Sequence, residues 1–299
     1  MKISVLIATR NRPGLLGAAL RSIQQNPRLP DEIVVIDQSG DGTSRAVVEE
    51  FKATLPNVVH EPMAPLGKSK ALNRAIEIAS GHFLVFTDDD ARVDEHWLET
   101  FEKLIAQYPQ AGAFCGRMLP ETGSSPEDYL NLVLRQEPGW IDRRYNPLNS
   151  GFVGANMGVR REALMNIGGF NELFGPGALF RSNNDGELAH RLVRSGTGIL
   201  FCPELVVYHS AWRKESDNRD LKFNYAFGLG AFPAYYLKQG DVRPFFYLCA
   251  KFLRKLRRLL IGVCLMQKER VLDGYLHLKG FILGFWKGLA ASAEKRLPQ

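Results

Sequence analysis

The feature that most restricts what this chain can fold into is an alternation over its first hundred residues. Short apolar, β-branched runs take turns with segments of helical apolar spacing. Ile3 to Ala8 reads as a buried strand and ends in the polar turn Thr9-Arg10-Asn11-Arg12-Pro13. Leu15, Leu16, Ala19, Leu20 and Ile23 then recur at helical spacing. Ile33 to Ile36 is a second strand, followed by the turn-rich loop Asp37 to Thr43. Val47, Val48, Phe51 and Leu55 predict a helix, Asn57 to His60 a weak strand, Ser69 to Ala79 a helix and Phe83 to Phe86 a strand. Glu95 to Ile105 predicts the next helix. This order predicts an α/β fold with a mostly parallel sheet covered by helices on both faces. At 299 residues and 45% hydrophobic, the chain has core enough for one large domain or two ordinary ones. Ligands of such sheets bind beyond the carboxyl ends of the strands. That rule directs attention to Thr9–Arg12, to Asp37–Thr43 and to the segment after Phe86.

That last segment is Thr87-Asp88-Asp89-Asp90. Three adjacent carboxylates at the end of a buried strand repel one another. In extended backbone, residues two apart share a face, so Asp88 and Asp90 are expected to point together into the crevice. A hard divalent cation would neutralise them and bridge to a diphosphate, which suits Mg²⁺ or Mn²⁺. A solvated acidic turn, or Asp90 capping the following helix, is the competing reading. The position behind an apolar strand favours the functional one.

Ile3–Arg12, Ile36–Thr43 and Phe86–Asp90 together resemble the opening motifs of family 2 glycosyltransferases of the GT-A fold. Gly154–Leu164 with Ile167–Glu172 resembles that family's acceptor-side loop and following helix, and Asn184–Leu192 resembles its catalytic acidic motif. The resemblance spans about residues 1 to 212. It departs from the family at Gln38, where a second acidic residue is usual, and at Asn184, where Glu is common.

The resemblance implies a Rossmann-like GT-A domain that moves a sugar from a UDP-, GDP- or dTDP-linked donor to a carbohydrate or lipid-linked acceptor, with inversion. Polysaccharide or glycolipid synthesis is the implied setting. Asp90, Asp88 and His209 are the implied metal ligands, Asp90 first. Thr9, Arg10, Arg12, Asp37, Lys68, Asp88 and Asp89 are the implied donor contacts, and Gly154 and Asn156 the acceptor contacts. Asp185 is the implied general base, with Glu187 next in line. From the residues alone several of these stay open: Asp185 also fits a helix N-cap, His209 a structural hydrogen-bonder, Asp37 ordinary turn chemistry, and Gly154 with Asn156 a glycine-bearing turn. Gly67-Lys68-Ser69 lacks the earlier glycine of a phosphate loop. A nucleotidyltransferase is disfavoured, because the loop Thr9–Gly14 has a single glycine. A non-catalytic nucleotide-sugar-binding or membrane scaffold protein is the rival from another class.

The remainder, residues 213–299, is a different object. It carries 17 Lys and Arg against 7 Asp and Glu, whereas residues 1–212 carry 21 against 25. Its aromatics are followed by Lys251-Phe252-Leu253-Arg254-Lys255-Leu256-Arg257-Arg258-Leu259-Leu260-Ile261, bases and leucines at helical spacing. This predicts a helical extension that lies on an anionic membrane surface or packs on protein, including a second subunit. No nucleic-acid-binding motif is present, so nucleic acid is not an expected partner. The four cysteines include no CxxC pair and suggest no disulfide framework. With no signal-peptide pattern and no uncharged run of spanning length, the expected location is cytoplasmic, peripheral on the inner face of the membrane.

Overall fold

The structure, a computed structural model, describes residues 1–121, 132–142, 151–210 and 215–291. The chain divides into two compact units. The first takes in Met1–Tyr145, Gly151–Phe170 and Leu188–Ala211. The second takes in Asn146–Ser150, Asn171–Glu187 and Trp212–Gln299. The boundary expected at residue 212 lies outside the described residues.

The first unit opens with β1 (Ile3–Thr9), α1 (Pro13–Gln24), β2 (Glu32–Asp37), α2 (Thr43–Phe51), β3 (Val58–Pro62), α3 (Lys68–Ile78) and β4 (Phe83–Asp88). Next come β5 (Ala91–Val93), α4 (Trp97–Gln107), β6 (Ala111–Pro120), β7 (Gly139–Ile141), β8 (Met157–Arg160), α5 (Arg161–Asn166), α6 (Asn184–Arg194, of which the part from Leu188 belongs to this unit) and β9 (Gly198–His209). Along the sheet the strands run β3-β2-β1-β4-β8-β6-β9-β5, with β7 on β9. The four strands expected from the sequence pair in parallel. Ile3, Val5, Leu6 and Ile7 of β1, and Ile33 to Ile36 of β2, are completely buried. Burial on both faces is why these strands read as continuous apolar runs rather than alternating ones. β8 and β5 add antiparallel ladders, on β4 and β6 and on β9 respectively.

Parallel register aligns the ends of the central strands. Thr9 lies beside Asp37, and Ala8 beside Asp88. One end of the sheet therefore gathers the loops after β1, β2 and β4. The β6–β9 ladder is irregular: Cys115 faces Phe201, yet Arg117 faces Val206. At that jog the chains come so close that a Cβ on Gly116 would lie 2.8 Å from the Leu205 carbonyl carbon, hence the glycine.

The second unit holds the helices α7 (Glu215–Leu237), α8 (Arg243–Cys264) and α9 (Lys268–Ala290). Its core is aromatic, with Phe174, Phe180, Phe232, Tyr236 and Phe281 all buried. α9 approaches α7 through Gly280, Gly284 and Gly288. A Cβ on Gly280 would lie 2.7 Å from Ala226 Cβ, and one on Gly288 2.5 Å from the Ala231 carbonyl oxygen.

Candidate active site

The carboxyl ends of β1 and β4 bring the acidic triplet together with two cations, Arg12 and Lys68, and the imidazole of His209. Thr9 Oγ1 donates to Asp89 Oδ2 at 2.8 Å. Arg12 Nη1 donates to Asp89 Oδ1 at 3.0 Å and lies 3.4 Å from Asp90 Oδ2. Lys68 Nζ, in the first residue of α3, reaches Asp88 Oδ1 at 2.6 Å. His209 closes β9, and its Nε2 lies 3.6 Å from Asp90 Oδ1. Pairing of Ala91 in β5 with His209 brings that ring beside the triplet, and Ser210 N donates to the Asp90 carbonyl at 3.0 Å.

The expectation that Asp88 and Asp90 share a face needs correction. Extended backbone ends at Asp88, and Asp89–Asp90 form a turn, so alternation stops there. Asp88 pairs with Lys68, while Asp89 and Asp90 share Arg12. Both of the latter are 4% exposed. Burial, followed by the neighbouring charges of Asp90 and Asp88, pushes the Asp89 carboxyl up to about 6, against the pull of Arg12 and Thr9.

Asp37 is 2% exposed and already engaged. Its Oδ1 accepts from Ser39 N at 2.8 Å, and its Oδ2 lies 3.1 Å from His60 Nε2. Ser39 Oγ in turn accepts from Asn11 N at 2.7 Å, holding Asn11 at its φ of 54°. Ser39 and His60 were not singled out in the sequence. The signal for His60 was a polar residue in β3, the parallel neighbour of β2. Gln38, the departure from the family pattern, donates to the Ala64 carbonyl at 2.9 Å and so anchors the segment before α3. Arg10 is exposed on the loop after β1.

Asn156 requires a second correction. It is 0% exposed, and its carboxamide is spent inside the unit. Oδ1 accepts from Trp97 Nε1 at 2.8 Å, and Nδ2 donates to the carbonyls of Arg117 at 2.7 Å and Leu205 at 3.0 Å. These two carbonyls flank the β6–β9 jog. Asn156 is thus a tie across irregular strands, and its side chain is not presented to an acceptor. Gly154, in the same 3-10 turn Gly154–Asn156, is also buried.

Asp185 and Glu187 belong to the second unit and the triplet to the first. α6 starts at Asn184, and Glu187 N donates to the Asn183 carbonyl at 3.0 Å. Asp185 therefore lies within the first turn rather than at the N-cap. It is half-buried and accepts from Asn184 Nδ2 at 2.7 Å. Glu187 is fully buried and accepts from Tyr236 Oη at 2.6 Å and Asn171 Nδ2 at 3.3 Å.

Asp90 and His209 offer a carboxylate oxygen and an imidazole nitrogen side by side. Such donors suit Mn²⁺, and Mg²⁺ is commonly held by one or two carboxylates plus substrate phosphates. Among the described residues, no three His, Cys, Asp or Glu side chains are gathered to hold a metal by themselves. The donor set fits a cation whose shell is completed by substrate.

A family model described as Glycosyl transferase family 2 matches residues 4–168. The glucosyl-dolichyl phosphate glucuronosyltransferase of Haloferax volcanii is 24% identical over 178 residues, covering 57% of this chain and 56% of that protein. The GalNAc(5)-diNAcBac-PP-undecaprenol beta-1,3-glucosyltransferase of Campylobacter jejuni is 25% identical over 175 residues, 58% of this chain and 56% of that protein. The chain thus matches little more than half the length of these two relatives. Among solved structures, the Pyrobaculum calidifontis mannosyltransferase PcManGT, in complex with GDP-Man and Mn²⁺, superposes with a TM-score of 0.63 at 19% identity, covering 96% of this chain and 87% of that one. S. aureus TarS 1-349 in complex with UDP gives 0.57 at 16%, covering 93% and 90%. These likenesses identify the fold as GT-A.

Proposed function

The chain belongs to glycosyl transferase family 2, and from that membership we propose that it moves a sugar from a nucleoside diphosphate sugar onto an acceptor hydroxyl, with inversion. The observation that carries this reading is the gathering of Thr9, Arg12, Lys68, Asp88, Asp89 and Asp90 at the carboxyl ends of β1 and β4. That is the edge at which open α/β sheets take nucleotides.

In this reading the loop after β2, held in shape by Asp37, receives the base of the donor, while Arg10 and Lys68 meet its phosphates. Lys68 opens α3, where a helix end and an ammonium both favour anions. Asp90 and His209 would hold Mn²⁺ or Mg²⁺ together with the donor's phosphates, with Asp88, paired to Lys68, beside them. The bound cation supplies Lewis-acid stabilisation of the departing diphosphate. Arg12 neutralises Asp89 and Asp90, whose carboxylates would otherwise be buried beside each other. Asp185 takes the proton from the acceptor hydroxyl, and the backbone near Gly154 borders the acceptor. Glu187 is fully buried whereas Asp185 is half-buried, and Asp185 is therefore taken as the carboxylate of that motif. Two relatives are named for dolichyl- or undecaprenol-linked substrates. They support a lipid-linked acceptor for this chain.

A thermal-shift panel of UDP-, GDP- and dTDP-sugars, with and without Mn²⁺, tests this. Stabilisation grows as RT ln(1 + [L]/Kd), so the true donor raises Tm most. The expected result is one donor whose shift enlarges with Mn²⁺, and an Asp90→Ala variant that folds but loses the enlargement. An unchanged Mn²⁺ effect in that variant refutes the metal assignment. A panel in which no nucleotide-sugar stabilises the protein refutes the transferase reading.

A further inference from the structure

Helix α8 contains six Lys and Arg and no Asp or Glu. Two of these bases share Asp273 of α9. It lies 3.3 Å from Lys255 and 3.6 Å from Arg258, and is shared with Lys222 of α7 at 3.7 Å. Arg254 and Arg257 are exposed to solvent. Beside them runs an exposed apolar stripe at seven-residue spacing: Phe246 is 67% exposed, Leu253 63% and Leu260 54%. Leu256, Ile261 and Cys264 continue its surface into a shallow groove bordered by Arg257. Side chains this apolar and this open need a cover.

We propose that α8 is an interfacial helix that lies in the surface of an anionic lipid bilayer. Its apolar stripe enters the acyl boundary, and Arg254 and Arg257 meet headgroup phosphates. Charge complementarity selects this cover over a second copy of the chain. A two-fold dimer brings the same patch together from both subunits. It would set the arginine rows against each other, and like-charge contact costs several kcal/mol. No helix among the described residues is long and apolar enough to cross a membrane, so the helix lies on the bilayer and does not span it. α9 adds exposed Tyr275, Lys279, Ile282 and Trp286 at helical spacing, and Tyr and Trp favour the headgroup level. The inference stands on the second unit alone and does not depend on the transferase reading.

The test is co-sedimentation of the full-length protein with vesicles of phosphatidylcholine alone or mixed with phosphatidylglycerol, at low and high salt. Binding to the mixed vesicles, weakened by salt, is expected. Each base near anionic lipid contributes about 1 kcal/mol, so Arg254→Gln with Arg257→Gln should lower partitioning roughly thirty-fold. Leu253→Glu with Leu260→Glu should lower it roughly a hundredfold. The arginine pair is exposed and outside the buried cores, so it decides the matter if the leucine pair fails to fold. Equal binding to both vesicle types, or equal binding by wild type and the arginine variant, overturns the proposal. So does light scattering that shows a dimer abolished by the leucine pair while vesicle binding persists.

Discussion

Asn156 offers the sharpest division between a structural and a functional role, because its surroundings allow a magnitude. Asn156→Ala removes the acceptor for Trp97 Nε1 and both donors to the Arg117 and Leu205 carbonyls. Trp97 and Leu205 are buried and Arg117 is half-buried; an unsatisfied polar group in the interior costs about 1–3 kcal/mol. The indole N–H stands at the upper part of that range. Carbonyls tolerate under-satisfaction better, so the two together add about 1–2 kcal/mol. A small void adds about 1 kcal/mol. The expected loss is about 4–6 kcal/mol, a large fraction of a typical stability of about 5–15 kcal/mol. Urea unfolding followed by near-ultraviolet circular dichroism reads it as a midpoint lowered by roughly 1–2 M. Two units need not unfold together, so the transition that carries the Trp97 signal is the one to fit. Asn156→Asp should be no better than Ala, because it keeps the acceptor and turns a second oxygen toward two carbonyls. An Ala variant within about 1 kcal/mol of wild type that nonetheless loses sugar transfer would refute the argument and return Asn156 to the acceptor.

Three further outcomes are expected. Asp185→Asn should lower kcat about 10²–10⁴-fold with donor affinity unchanged, since a base acts only in the transition state; single-turnover rates near wild type would remove Asp185 from the chemistry. Gly284→Ala should destabilise the helical unit by about 3 kcal/mol, because its Cβ would overlap the Phe227 carbonyl; a thermal melt at or above wild type would mean α7 and α9 are not so close. Burial, then Arg254 and Lys255, hold the Lys251 ammonium down to about 8 from 10.5. The depressed value costs stability below pH 8, and the cost disappears as pH rises toward 10.5. Lys251→Met should therefore gain about 2–3 kcal/mol at pH 7 and lose that gain by pH 10.5, and equal gains at both pH values would contradict the assignment.

The parallel half of the sheet was legible because strands buried on both faces leave unbroken apolar runs, and β1, β2 and β4 did so. The site's position came from one rule about strand ends. The pairings were not disclosed by the sequence. Nothing local to Arg12 says that it sits between Asp89 and Asp90, residues that a tight turn has taken out of strand alternation. Asn156 joins Trp97, Arg117 and Leu205, partners 39 to 59 positions away, and its need arises from a jog that neither β6 nor β9 announces by itself. Glu187 and Asp185 look alike as acids near a helix start. Only the folded chain separates the one held by Tyr236 from the one half-buried in the first turn. Motif reading locates groups, but partners depend on register and turns set by the whole sheet.

The way the second unit is threaded has a consequence for synthesis. Phe174 and Phe180 emerge from the ribosome well before Phe232 and Tyr235, the rings they pack against. At about 5–20 residues per second, the intervening fifty or so residues take about 3–10 s. Once β9 has followed in that interval the sheet can close around its own core, while two phenylalanines wait in solvent for helix α7. The nascent chain therefore passes through a stage with its first unit formed and a sticky aromatic segment uncovered, and a holdase that binds aromatic segments would engage it there. Chains that stop short of α7 never leave that stage, and they should accumulate as aggregates even though every residue of the nucleotide crevice up to His209 has been made.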